Sequence, residues 1–249
     1  SKNISTMCFE GPEDSLKQTI NTQPSIVTMS IAAMEALKSE LDITPSYTAG
    51  HSLGEYCAMY TSGVMSLENT LKAIQKRADL MSATKGGSMA AVLNASEEQL
   101  KAGLEEGSKV GYVDVANYNS PAQVVITGAE DAVKAASDYM VANGVRRVVP
   151  LAVSGAFHSK FMENAGKEFA EFVSNLDLNN ASIPVITNVD AEITTNSEDF
   201  RVKMPKQIYS SVHWTQTIEK MIAEGVDTFI EIGPGKVLAG LNRKISSDI

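Results

Sequence analysis

The chain has 249 residues, of which 43% are hydrophobic and 20% charged, a composition typical of a globular enzyme rather than a disordered or fibrous protein. A formal net charge of −9 makes nucleic acid and anionic membrane surfaces poor general partners. Neither of the two cysteines, Cys8 and Cys57, belongs to a CxxC pair, and no apolar run has the length of a transmembrane helix. We therefore expect a cytoplasmic protein with reduced thiols and no metal site.

Helical patterns dominate the first 85 residues. A proline favours the first turn of a helix, so Thr22-Gln23-Pro24 predicts a helix start. A short apolar run at 47–49 then precedes Gly50-His51-Ser52-Leu53-Gly54. Apolar residues at three- and four-residue steps predict helices over 53–62 and 66–83.

The next segment changes in character. Its apolar pattern and turn residues predict the order β-α-β-β-α-β, with strands at 88–93, 110–116, 122–127 and 145–153 and helices at 96–106 and 129–143. This order is typical of ferredoxin-like folds. We interpret residues 86–153 as a small ferredoxin-like domain inserted into a larger one, which comprises residues 1–85 and 154–249.

The remaining chain alternates again between helices and strands. Predicted helices cover 160–176, 205–209, 215–223 and 237–244, and predicted strands cover 183–188 and 227–232. Strands alternating with helices indicate a mostly parallel sheet with covered faces. The sequence therefore predicts an α/β fold whose larger domain is like that of the α/β-hydrolases.

The Gly-x-Ser-x-Gly stretch between a strand and a helix has the context of a nucleophile elbow. Its two glycines permit a sharp turn that exposes the Ser52 hydroxyl. The next amide, Leu53 N–H, would lie at a helix N-terminus, where it can stabilise a developing oxyanion. The alternative is a glycine-rich turn with a helix-capping serine.

A serine nucleophile needs a base, and the chain offers three histidines. His51 is adjacent to Ser52, and neighbouring side chains at a turn point apart. His213 precedes Trp214 at a helix start, where a surface or capping role is expected. His158 lies in a loop between the small domain and a helix, and such loops commonly line a cleft. Elimination favours His158, whose alternative role is a hydrogen bond to the backbone at a helix start.

Several motifs in order resemble the malonyl-CoA:acyl carrier protein transacylases of type II fatty acid synthesis, and also the acyltransferase domains of polyketide synthases. The elbow is one, Thr48-Ala49-Gly50-His51-Ser52-Leu53-Gly54-Glu55-Tyr56. The others are Asn21-Thr22-Gln23-Pro24, Arg77, Asn117-Tyr118-Asn119-Ser120-Pro121, Gly155-Ala156-Phe157-His158-Ser159, Gln207 before Trp214, and Glu231-Ile232-Gly233-Pro234-Gly235-Lys236-Val237-Leu238. The resemblance covers essentially the whole chain.

The resemblance implies a role for each site residue. Ser52 becomes a malonyl ester, His158 takes its proton, the Gln207 backbone carbonyl orients His158, and the Leu53 N–H serves the oxyanion. The residues expected to bind substrate are Arg77, Gln23, Phe157 and Asn119. Malonyl-CoA and acyl carrier protein are the implied partners. No bound cofactor is implied, because coenzyme A and phosphopantetheine are substrates. The family is usually monomeric, which implies a monomer here.

Charge and size agree with two of these roles. An arginine on an otherwise apolar helix is costly unless it is paired, and a guanidinium can bind a malonyl carboxylate through two hydrogen bonds. Asp79, two residues from Arg77, is a poor partner on the same helix, although another acidic residue could pair with it. The Phe157 ring would crowd a methyl branch, which favours malonyl over methylmalonyl groups; core packing is the alternative.

The family begins with an apolar strand that ends in Gly-Gln-Gly-Ser-Gln, and nothing similar precedes Ser1. From this we expect the sequence to be incomplete. Two other functions stay open: a serine esterase or thioesterase, which requires a triad acid, and a non-catalytic subunit that binds carrier protein. For docking an acidic carrier protein the basic candidates are Arg146, Arg147, Lys160, Arg201, Lys203 and Lys206.

Overall fold

A computed structural model describes residues 3–249, so the first two residues of the predicted range 1–85 lie outside it. The helices before the small sheet are α1 (Ile4–Glu10), α2 (Glu13–Leu16), α3 (Thr19–Glu40), α4 (Gly54–Thr61) and α5 (Leu67–Ala83). Those that follow are α6 (Glu97–Ser108), α7 (Glu130–Ala142), α8 (Glu163–Ser174), α9 (Ser197–Tyr209), α10 (Trp214–Ala223) and α11 (Val237–Ile245). The chain thus has an α/β fold in which helices accompany small antiparallel sheets.

A four-stranded antiparallel sheet occupies the middle of the chain. Its strands are β1 (Ser88–Leu93), β2 (Val113–Ser120), β3 (Gln123–Gly128) and β4 (Arg147–Pro150), in the spatial order β2-β3-β1-β4. Helices α6 and α7 join them in the chain order β-α-β-β-α-β. Buried Val92, Ile126 and Met140 belong to the hydrophobic core of this unit.

Strand β2 extends further than its sequence predicts. Residues 117–120, expected in a loop, belong to the strand because Asn117 and Tyr118 pair with Val125 and Val124 of β3. The side chain of Asn119 is buried as well. Polar residues before Pro121 suggested a loop, but pairing with β3 and a bond of 2.9 Å from the Tyr118 N–H to the Val212 carbonyl give backbone groups of this segment their partners.

A second hydrophobic core holds the elbow helix in place. It combines residues of α3, α4, α5, α8 and α9, among them Val27, Met59, Ile74, Phe169 and Phe200. Helix α5 begins after Ser66, whose side chain accepts a hydrogen bond from the Asn69 N–H, close to the predicted start. The predicted helix 160–176 is divided into a 3-10 turn, Lys160–Met162, and α8. Helix α9 begins at Ser197, eight residues before the predicted start.

The expectation of a mostly parallel sheet is wrong for residues 3–249. Strand β5 (Val185–Ile186) has two residues, pairs antiparallel with β6 (Ile193–Thr194), and forms a single parallel bridge between Val185 and Thr48. Residues 227–232 form no strand in the part of the chain that the structure describes. Within residues 3–249 no strand pairs with this segment, and its Ile230 side chain is 57% exposed. None of the helices in residues 3–249 is long and apolar enough to cross a membrane.

Candidate active site

The turn at Ser52 gives the predicted nucleophile an uncommon backbone conformation. Ser52 has a φ of 52°, in the left-handed region that a non-glycine residue rarely adopts. Gly50 is required here, because a Cβ at this position would lie 2.0 Å from the Gly54 carbonyl. A Cβ at Gly54 would meet nothing within 4 Å, so the expectation that both glycines are needed for the turn is wrong for Gly54.

Ser52 and His158 come together although 106 positions separate them in the chain. The Ser52 Oγ lies 2.9 Å from His158 Nε2. On the other side of the ring, Nδ1 lies 2.9 Å from the Gln207 carbonyl oxygen and 3.1 Å from that of Ser210. Two carbonyl acceptors place the proton on Nδ1, so Nε2 is free to accept the proton of Ser52. Backbone carbonyls thus occupy the place of a triad carboxylate.

His158 stays neutral over a wide pH range. It is buried, and burial together with the positive charge of Arg77 lowers the pKa of His158 to about 3. The residue also has a φ of 53°. A neutral, oriented imidazole is the form that acts as a general base.

Arg77 is a buried cation in contact with the Ser52 hydroxyl. Its side chain is 1% exposed, and Nη2 donates to Ser52 Oγ at 3.0 Å. Nη1 donates to Gln23 Oε1 at 2.7 Å and Nε donates to Gln207 Oε1 at 3.2 Å, while the guanidinium carbon lies 5.7 Å from the centre of the Tyr56 ring. No carboxylate pairs with Arg77 within residues 3–249; Asp79 instead accepts a hydrogen bond from Gln75.

The predicted oxyanion donor and the predicted size filter lie beside these groups. Leu53 N–H has no protein acceptor in the described part of the chain, so it is available to a ligand oxygen. Phe157, next to His158, is half-buried and packs against both the core around α4 and a small cluster on the sheet. Its carbonyl accepts a hydrogen bond of 3.0 Å from Thr127 Oγ1, which fixes the loop that carries His158 to β3.

Asn119 contacts the elbow at His51, not at Ser52. Its Oδ1 lies 2.7 Å from His51 Nε2, and the His51 ring meets Trp214 edge-on at 5.7 Å. His51 therefore points away from Ser52 towards β2. His213 stacks on Tyr118 at 5.2 Å. Neither His51 nor His213 takes the position of the base.

Sequence reasoning missed Asn188, Glu55 and the side-chain role of Gln207. Gln207 Nε2 donates to the Ser52 carbonyl at 2.7 Å, and Asn188 Oδ1 accepts from the Ser52 N–H at 2.7 Å. Glu55 is 1% exposed and accepts from the Asn188 N–H. The available signal was polarity in buried contexts: Glu55 opens an apolar helix, and Asn188 follows the apolar run at 183–186.

The six basic residues suggested for docking differ in whether their side chains already have partners within the chain. Arg201 donates to the carbonyls of Val173 and Leu176, and Lys203 pairs with Asp190 at 2.8 Å, so both have structural partners. Lys160, which lies 4.0 Å from the centre of the Tyr112 ring, is exposed, as are Arg146, Arg147 and Lys206.

Comparisons with known proteins identify the family of this chain. The family model described as the acyl transferase domain matches residues 3–246. The malonyl CoA-acyl carrier protein transacylase of Bacillus subtilis (strain 168) is 42% identical over 247 residues, which cover 98% of this chain and 78% of that protein.

Solved structures extend the comparison. An acyl carrier protein S-malonyltransferase from Vibrio cholerae superposes with a TM-score of 0.96 at 35% identity, covering 99% of this chain and 82% of that one. A type II polyketide synthase malonyl transacylase in complex with its acyl carrier protein superposes with a TM-score of 0.95 at 33% identity, covering 99% and 81%. The chain belongs to the acyl transferase domain family and, within it, to the malonyl CoA-acyl carrier protein transacylases.

Proposed function

We propose that this chain transfers a malonyl group from malonyl-CoA to the phosphopantetheine thiol of acyl carrier protein, through a malonyl ester on Ser52. The observation that carries the proposal is Arg77. A buried guanidinium without a carboxylate partner, 3.0 Å from the nucleophile, suits an acyl group that brings its own carboxylate. The product would supply fatty acid or polyketide synthesis.

In the first half-reaction Ser52 attacks the thioester carbonyl carbon while His158 Nε2 takes the hydroxyl proton. The carbonyl oxygen becomes an oxyanion, towards which the free Leu53 N–H donates. The C–S bond then breaks, malonyl-Ser52 forms, and coenzyme A leaves as a thiol with the proton from His158. Arg77 binds the distal malonyl carboxylate, with Gln23 and Gln207 holding the guanidinium in place.

In the second half-reaction His158 takes the proton of the phosphopantetheine thiol. The sulfur attacks the ester carbonyl, the C–O bond to Ser52 breaks, and the serine recovers its proton from His158. This ping-pong sequence leaves the protein unchanged and needs neither a metal nor a cofactor. Because Arg77 holds the carboxylate of the ester and the site has no triad acid, we expect transfer to the thiol to exceed hydrolysis.

The esterase alternative is less well supported. It requires a carboxylate on His158, and Nδ1 instead has two backbone carbonyls as partners. A non-catalytic carrier-binding subunit would not require Ser52 and His158 at 2.9 Å. Asn119, through His51, and Phe157 are proposed to line the acyl pocket, where the Phe157 ring would exclude a methyl branch.

We also propose how the chain is divided into domains, which residues meet the carrier protein, and where the protein acts. The antiparallel order β2-β3-β1-β4 supports a ferredoxin-like subdomain over residues 86–153, inserted into an α/β-hydrolase-like unit of residues 1–85 and 154–249 that carries the elbow. Exposed Arg146, Arg147, Lys160 and Lys206 are proposed to meet the carrier protein. We propose a monomer that acts in the cytoplasm.

The test is the intact mass of the protein after incubation with malonyl-CoA. A malonyl adduct is expected on the parent chain and on Arg243→Ala, which removes an exposed arginine. The adduct should be absent from Ser52→Ala, and Arg77→Ala should accept acetyl-CoA in its place. An adduct that persists in Ser52→Ala, or equal malonyl loading by Arg77→Ala, would contradict the proposal.

A further inference from the structure

The nucleophile turn needs an external support. Ser52 has its left-handed φ of 52° within a turn so tight that Gly50 has no room for a Cβ. Within the turn, the Gly54 and Glu55 N–H groups bond to the carbonyls of His51 and Ser52. These bonds leave the Gly50 carbonyl and the Ser52 N–H to partners outside the turn.

One side chain satisfies both groups. The Asn188 amide is fully buried, its Oδ1 accepts from the Ser52 N–H at 2.7 Å, and its Nδ2 donates to the Gly50 carbonyl at 2.8 Å. The same Oδ1 lies 3.4 Å from Gln207 Nε2. A primary amide is suited to this arrangement because it carries a donor and an acceptor side by side.

The main chain of Asn188 is fixed on both sides. Its N–H donates to Glu55 Oε2 at 2.5 Å, and its carbonyl accepts from the His213 N–H at 3.0 Å. Upstream, Ile186 N–H donates to the Thr48 carbonyl at 3.0 Å, so the two segments run side by side towards the turn. Glu55 lies on the first turn of α4, three residues after Ser52, and therefore connects the elbow helix back to Asn188.

We propose that Asn188 and Glu55 form a positioning pair that sets the orientation of the Ser52 hydroxyl. The Asn188 amide holds the backbone on both sides of the nucleophile, and Glu55 holds Asn188 as a hydrogen-bond acceptor. Neither residue touches the acyl group. Loss of either one shifts Ser52 relative to His158 and Arg77, and a shift of about 1 Å commonly lowers a rate by roughly 100-fold.

The experiment measures the reactivity of Ser52 with a neutral fluorophosphonate probe, alongside malonyl transfer to acyl carrier protein. The malonyl-transfer assay depends on the proposed function, whereas fluorophosphonate labelling depends only on the reactivity of Ser52. The labelling can therefore test the positioning pair even if the proposed function is wrong. We expect Asn188→Ala to lower the labelling rate and kcat by roughly 10- to 100-fold, with KM for malonyl-CoA unchanged. Glu55→Ala should lower both rates in the same way.

Two comparisons separate positioning from general destabilisation. Glu55→Gln keeps an oxygen acceptor for the Asn188 N–H, so its labelling rate should stay within about threefold of the parent. Asn242→Ala removes another buried asparagine, which accepts from Trp214 Nε1, and should lower the melting temperature without slowing the labelling. Parent-like labelling by Asn188→Ala overturns the proposal. If that variant does not fold, equal rates for Glu55→Ala and Glu55→Gln overturn it instead.

Discussion

Replacing Gln207 by alanine separates the two roles that this residue has in the site. The variant keeps the main-chain carbonyl that accepts from His158 Nδ1, but it loses the side-chain bonds to Arg77 Nε at 3.2 Å and to the Ser52 carbonyl at 2.7 Å. The Ser52 carbonyl still accepts a hydrogen bond from the Glu55 N–H, so it loses only one of its two hydrogen-bond donors. The base therefore remains in place, while the buried guanidinium loses a partner.

The magnitude follows from the positions of Arg77 and Ser52. The Gln207 side chain holds both in place, and a misplacement of about 1 Å in an active site lowers the rate by roughly 100-fold. We therefore expect kcat/KM for malonyl-CoA to fall by roughly 100-fold. Because the damage is greatest at Arg77, the ratio of malonyl to acetyl loading should fall as well.

The assay is single-turnover loading of Ser52 from malonyl-CoA and from acetyl-CoA. Gln207→Glu is the matched variant: its carboxylate would pair with Arg77, so it should fold and yet load malonyl poorly. Malonyl loading by Gln207→Ala within twofold of the parent would refute the side-chain role. An equal loss for both acyl groups would show that Gln207 does not act through Arg77.

Three further predictions concern pH and size. Burial raises the pKa of Glu55 to about 7 despite the hydrogen bond from the Asn188 N–H and the charges of Arg77 and Lys203. The folded state therefore binds this proton more tightly than the unfolded state, where the pKa is about 4.5. The free energy of unfolding should therefore fall as pH rises from 4.5 to 7. In Glu55→Gln this fall should be absent, and denaturant unfolding at pH 8 should give a free energy about 3 kcal/mol above that of the parent. An equal pH dependence of the unfolding free energy in both proteins would contradict this. His158 has a pKa of about 3 and acts as a base only when neutral, so the rate of Ser52 acylation should stay constant from pH 8 to pH 5. Arg77→Gln removes a positive charge, so it should raise the pKa of His158 and move the acid-side loss of rate to higher pH. A parent acylation rate that halves near pH 6.5 would refute this. Phe157→Val should raise the methylmalonyl to malonyl loading ratio by about 10-fold or more, and an unchanged ratio would contradict the size filter.

Local sequence determined most of the secondary structure. Strand β1 begins and ends where its apolar run predicts, and α5 and α6 begin after the serines Ser66 and Ser96, whose side chains cap them. Such signals lie within a few neighbouring residues, so they are readable without the fold. The failed strand at 227–232 has the same kind of local signal, but a strand also needs a partner, and the sequence of one segment does not provide it.

For the site, residue type and order indicated Ser52 and His158, and the resemblance to the transacylase family added Arg77, whose charge suits a carboxylate ligand. The tertiary structure decided how they are held. Asn188 and the Gln207 side chain lie 136 and 155 positions from Ser52 and contact it only through chain folding. Their role depends on which backbone groups of the elbow have no partner within the turn, and those groups are defined only once the chain has folded.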